Sequence, residues 1–135
     1  MNIIDLSAFE KVLNSLFEVV ELYKKNKSDL IVRDSMIQRF EYTYSLSLKM
    51  IKRYFSNGAF VFENLEAMSF NQMIRLANQM GLLRSNLEVW DDYRQKRNLT
   101  SHTYDEKIAK EVASIIEDFS IEAKYLFEQL KEKKE

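Results

Sequence analysis

The sequence predicts an all-α fold: an antiparallel up-and-down bundle of four main helices with one additional short helix. Three observations carry that expectation. The chain has no proline and only two glycines in 135 residues, against typical usage of about 5% and 7%, so little in it can break a helix. Apolar residues recur at steps of three and four along each long stretch, the period of a helix with one buried face. Ser, Thr or Asn precedes several of those stretches, where a side-chain oxygen satisfies free amides at a helix start. One domain is expected over residues 1–135, burying about two thirds of the surface of the unfolded chain.

The first helix is expected to open at a capping box made by Ser7 and Glu10. Its face is Phe9, Val12, Leu13, Leu16, Phe17, Val20 and Tyr23, and Lys24, Lys25 and Lys27 suit the negative C-terminal end. Ser28 or Asp29 caps a second helix that runs from Ile31 to about Phe55. Its apolar positions are Val32, Met36, Ile37, Phe40, Tyr44, Leu48, Ile51 and Phe55, and Asn57-Gly58 closes it. Residues 59–68 read as a connection. Ser69 and Gln72 form a second capping box, opening a short helix through Met80 that Gly81 stops. Asn86 caps a fourth helix carrying Leu87, Trp90 and Tyr93 down to about Asn98. Thr103 and Glu106 read as a third box, opening one long last helix with Ile108, Val112, Ile115, Ile116, Phe119, Ala123, Leu126 and Leu130 on its face. The final residues, 131–135, are expected to fray.

Composition removes several classes of function. The formal net charge is -1, so no global basic excess points to nucleic acid, although a local cluster can still hold a phosphate. The absence of cysteine excludes disulfides, thiolate zinc sites and a cysteine nucleophile. A single histidine argues against a transition-metal site within one chain, and no cofactor is called for. The N-terminus lacks the basic region and apolar core of a signal peptide. No apolar run approaches the ~20 residues of a membrane span. A soluble cytoplasmic protein is the expectation.

Chemistry concentrates in Arg97-Asn98-Leu99-Thr100-Ser101-His102-Thr103-Tyr104. With Thr103 as cap, His102 falls just before the last helix and Tyr104 at its first position, where free amides favour an anion. Arg97 stands near the end of the preceding helix, and its fork matches two phosphate oxygens. Histidine as a residue type exchanges protons near neutral pH. Arginine with histidine is the set a metal-independent ribonuclease needs: a base for the ribose 2′-hydroxyl and a cation for the charge growing on the phosphate. Cleavage also needs an acid for the leaving 5′-oxygen. One chain has one histidine, so the hypothesis requires a two-fold dimer. The residues alone leave a structural role open, because a lone histidine between helices is commonly a surface or capping residue.

The same string resembles the HEPN (higher eukaryotes and prokaryotes nucleotide-binding) motif of an arginine, four residues and a histidine. With Asn98 and Tyr104 added, it is similar to the bacterial branch encoded beside minimal nucleotidyltransferases. Members of that branch are described as HEPN toxins or as nucleotidyltransferase substrate-binding proteins. A second block, Arg33-Asp34-Ser35-Met36-Ile37-Gln38-Arg39-Phe40-Glu41-Tyr42-Thr43-Tyr44, resembles the long-helix signature of the branch, so the likeness spans essentially the whole chain. The chain departs from the pattern at Ser45, where an acid is common, at Leu48, where tryptophan is usual, and in a connection without proline.

The resemblance implies a HEPN-like bundle that forms a homodimer, with both motifs in one composite cleft. It implies Arg97 and His102 as ribonuclease residues, with Asn98 a polar neighbour; Asn98 and Arg39, whose charge could line the dimer cleft against the RNA backbone, are the candidate substrate-binding residues. It further implies that a cognate minimal nucleotidyltransferase transfers AMP to Tyr104, neutralising an RNA-cleaving toxin of the type VII kind. The charges of the second block have a plainer reading, as the solvated face of a long helix. Two other functions stand beside the toxin: a non-catalytic subunit presenting a nucleotide or other substrate to a nucleotidyltransferase, and a helical interaction module in which Arg97 and His102 are structural.

Overall fold

A computed structural model describes residues 4–57 and 65–133. The described chain is helical, with α1 at Ser7–Lys25, α2 at Leu30–Asn57, α3 at Phe70–Gln79, α4 at Leu87–Asn98, α5 at Glu106–Ala113 and α6 at Ile116–Lys133. Single 3-10 turns occupy Leu65–Ala67 and Thr100–His102. α1 lies along α2, and α6 packs against both. α4 and the short α3 complete the bundle, so the all-α bundle with an extra short helix is what the chain forms. The expected stop at Gly58, most of the connection that follows and the last two residues of the frayed tail lie outside the described residues.

The core forms where the helical stripes meet. Phe119 of α6 sits between α2 and α4, with ring centroids 5.1 Å from Phe40 and 5.2 Å from Tyr93. Trp90 meets Tyr93 edge-on at 5.4 Å. Such edge-to-face pairs suit the ring quadrupoles and contribute beyond their area alone. Glu122 of α6 is fully buried. Its carboxylate accepts from the backbone amides of Arg84 at 2.8 Å and Ser85 at 3.4 Å, tying the α3–α4 connection down. The Tyr93 hydroxyl donates to Asp118, and burial with that bond drives the phenol far above its ordinary range.

Local signals placed some helix ends and missed others. The Ser69–Gln72 box is formed in both directions, Asn86 caps α4 through the Val89 amide, and Gly81 stops α3 at φ +78°, a left-handed position glycine takes at little cost. Asp29, not Ser28, caps α2, accepting from the amides of Ile31 and Val32. The Ser7–Glu10 box is absent. Ser7 instead gives both its amide and its hydroxyl to Asp5, leaving Leu6 before the helix with no side-chain cap.

The Thr103–Glu106 box is absent too. Thr103 donates back to the Thr100 carbonyl at 3.2 Å, Glu106 is taken by Arg33, and Asp105 caps α5 in its place. The long last helix is interrupted after Ala113. The Ser114 hydroxyl donates to the Glu111 carbonyl at 2.6 Å, and the Ile115 amide bonds three residues back, to Val112. A serine bonding to its own preceding turn bends a helix without glycine or proline.

Candidate functional site

One ridge of α2 carries Arg33, Ile37 and Glu41, each four residues from the next and so stacked along one face. This ridge is the back wall of the 97–106 corner. At one end, Glu41 Oε2 lies 3.4 Å from Arg97 Nη1. The Thr100 hydroxyl is 2.7 Å from that carboxylate oxygen and 2.8 Å from the Arg97 carbonyl. It donates its one proton between them and accepts from Arg97 Nη1 at 3.4 Å. At the other end, the buried Arg33 donates through both terminal nitrogens to Glu106, at 2.6 and 3.0 Å. This two-pronged bond lifts Arg33 and holds the Glu106 carboxyl below its usual range. The corner is therefore fastened to α2 on both sides.

Between those fastenings the candidate groups face outward. The Arg97 side chain is 35% exposed, and Asn98 and His102 are exposed. Tyr104 is 88% exposed, leaving its hydroxyl open to a second molecule. The His102 and Tyr104 rings meet edge-on at 6.2 Å. Both backbone groups of His102 are bonded, its amide to the Leu99 carbonyl and its carbonyl to the Asp105 amide. Arg97 and His102 share the corner without a hydrogen bond or ion pair joining them among the described residues. Beneath them the buried Tyr44 phenol is pushed up to about 12 by burial, against the pull of Arg94 and Arg97. It stays neutral near the guanidinium.

Two expectations for this region change. The free helix amides expected to seat an anion beside His102 are already occupied: Asp105 Oδ1 accepts from Lys107 and Ile108. The positive charge at the corner thus comes from Arg97, not from a bare helix end. Arg39 is directed elsewhere, donating to the Ser15 carbonyl of α1 at 2.8 Å. Two residues along a helix turn through about 200°, so Arg39 and Glu41 occupy opposite sides of α2. Arg39 is not part of this single-chain corner.

Sequence reasoning left Glu41, Arg33 and Thr100 without specific roles. A signal for the first two was present: both stand four residues from Ile37, so they continue a buried ridge instead of a solvated face. Charges on such a line must find partners. Among the described residues no group of three or more His, Cys, Asp or Glu is arranged to hold a metal, and no helix is long and apolar enough to cross a membrane.

Comparison with known proteins extends this geometry. The family profile described as "Nucleotidyltransferase substrate binding protein like" matches residues 4–132. A Haemophilus influenzae protein named "Probable ribonuclease HepT" is 37% identical over 138 residues, spanning 96% of this chain and 94% of that protein. A solved Haemophilus influenzae structure, described as the fold of a substrate-binding domain of a nucleotidyltransferase, superimposes with a TM-score of 0.86 at 35% identity. The match covers 94% of this chain and 99% of that one. A Thermus thermophilus crystal structure aligns at 0.69 and 29% identity, covering 91% and 98% of the two chains. The chain belongs to the HEPN family, in the branch of nucleotidyltransferase substrate-binding-like proteins.

Proposed function

We propose that this protein is a metal-independent endoribonuclease toxin whose composite site forms in a homodimer and whose activity is stopped by nucleotidyl transfer to Tyr104. The observation that carries the reading is the corner itself, an arginine held by a carboxylate and a threonine beside an exposed histidine and a fully accessible tyrosine hydroxyl. Similarity to a protein named as a ribonuclease supports the same direction.

In the proposed reaction one His102 imidazole takes the proton of a ribose 2′-hydroxyl. The 2′-oxygen attacks the adjacent phosphorus, and the bond to the 5′-oxygen breaks. A protonated His102 from the second copy supplies the proton to that leaving oxygen. Arg97 stabilises the charge on the phosphate oxygens, and it is strongest where charge develops in a water-poor cleft. The products are a 2′,3′-cyclic phosphate and a free 5′-hydroxyl. In neutralisation, a partner nucleotidyltransferase transfers AMP from ATP to Tyr104 Oη, and pyrophosphate leaves. The attached nucleotide is bulky and anionic, so it blocks RNA and competes for Arg97.

The family description favours a second reading, a non-catalytic subunit that presents a substrate to a nucleotidyltransferase. Induced expression separates the two. Wild type and Tyr104→Phe are expected to arrest growth and fragment cell RNA, His102→Ala to do neither, and a co-expressed minimal nucleotidyltransferase to rescue only wild type. Harmless expression of all three with intact RNA leaves the substrate-presenting subunit as the reading that stands.

A further inference from the structure

Beside the Arg33–Glu106 pair, the end of α1, the start of α2 and the α5–α6 bend enclose a cleft of about 220 Å³. Its lining is divided by chemistry. Met36 and Val20, both buried, give it an apolar floor. Lys24, Lys27 and Lys110 supply the cationic part of the lining. The one carboxylate in the lining, Glu117, is already engaged by Lys24 at 2.9 Å, a contact that lifts the Lys24 ammonium above its ordinary range. Lys27 and Lys110 form no salt bridge among the described residues. The cleft thus carries two lysines outside any direct ion pair among the described residues, in a chain whose net charge is -1.

The cleft adjoins the 97–106 corner. Lys110 follows Glu106 by four residues on α5, about 6 Å along the helix, and its charge helps hold the Glu106 carboxyl low. Tyr23 of the lining is close enough to Arg33 to act on its charge. The Arg33–Glu106 pair therefore feels charge from two residues of the cleft lining, Tyr23 and Lys110. Drug-sized sites run to about 300–1,000 Å³, so this smaller, open cleft can cover part of one nucleotide unit and not an extended strand.

We propose that this cleft is a one-nucleotide subsite, with a phosphate group on Lys27 and Lys110 and the base or sugar against Met36. Two sources present that chemistry: a nucleotide of RNA flanking the cleaved bond, and AMP esterified to Tyr104. The first rests on the proposed ribonuclease activity, the second on the proposed nucleotidyl transfer to Tyr104.

The test uses the full-length His102→Ala protein, which leaves RNA uncut, with two probes: 5′-AMP and a short fluorescent single-stranded oligoribonucleotide. Lys27→Glu and Lys110→Glu replace exposed side chains, and Lys131→Glu is the control away from the cleft. Each cleft variant is expected to weaken AMP binding about tenfold, the control to leave it unchanged. If RNA is the source, each cleft variant also lowers the salt slope of RNA binding by about 0.7. Loss with AMP alone assigns the subsite to the nucleotide on Tyr104. No AMP binding to the parent, unchanged AMP binding in both cleft variants, or equal loss in the control overturns the proposal. A wild type that cuts no RNA while its AMP binding still needs Lys27 refutes the ribonuclease reading and leaves the subsite standing.

Discussion

At the scale of single residues, Arg97 and Glu41 separate positioning from stability. Their side chains are 35% and 39% exposed, and an ion pair so open to water contributes only ~0–1 kcal/mol to folding. Its value lies in fixing where the guanidinium points, since a misplacement of about 1 Å can cost about a hundredfold in rate. If the proposed RNA cleavage is this chain's activity, Glu41→Ala is expected to lower its kcat/KM by about a hundredfold, while the urea midpoint hardly moves. Glu41→Gln keeps an acceptor for Thr100 but loses the charge, so it recovers part of the activity. An unchanged kcat/KM in Glu41→Ala would remove Glu41 from the site.

At the scale of elements, the corner is only as rigid as its attachment to α2. Arg33 is the buried anchor and Glu106, at the first turn of α5, is the half-exposed partner. The pair keeps the Glu106 carboxyl below its ordinary value of 4.5, with a clear consequence for acid stability. A carboxylate held low in the folded state contributes stability that is present above the unfolded value and lost as pH falls through the folded one. Wild type is thus expected to lose urea stability as pH drops below about 4.5, and Glu106→Gln to be less stable at neutral pH with a shallower acid limb. Parallel limbs for the two proteins would show that the pair is not linked to folding. The α5–α6 bend belongs to this scale too. A side-chain hydroxyl at Ser114 bends a stretch whose apolar stripe continues unbroken through Val112, Ile116 and Phe119, so periodicity alone reads it as one helix.

At the scale of the whole molecule, the proposed chemistry needs two histidines from chains that carry one each. Co-expression of wild type with an equal amount of His102→Ala tests this directly. Random pairing leaves about one quarter of dimers with both histidines, so activity is expected to fall to about a quarter of the all-wild-type value. A fall only to one half would mean that each chain works alone. Sedimentation showing only monomer at working concentrations would exclude the composite site altogether.

Much of this architecture was legible in the chain. Helical periodicity, the Ser69–Gln72 box, the Asn86 cap and the Gly81 stop depend on residues within a turn or two of one another, and a short window holds all the information they need. The motif string was legible for the same reason, as residue types at fixed spacing. Tertiary structure alone decided which charges meet. Glu41 reaches Thr100 across 59 residues and Arg33 reaches Glu106 across 73, in a chain with 20 cationic and 21 acidic side chains to choose among. Those choices then overrode local preference at the corner: with Glu106 held by Arg33, the box with Thr103 is lost and Asp105 takes the helix end. A helix cap is contested among neighbours, whereas an ion pair is settled by which faces the packed core brings together.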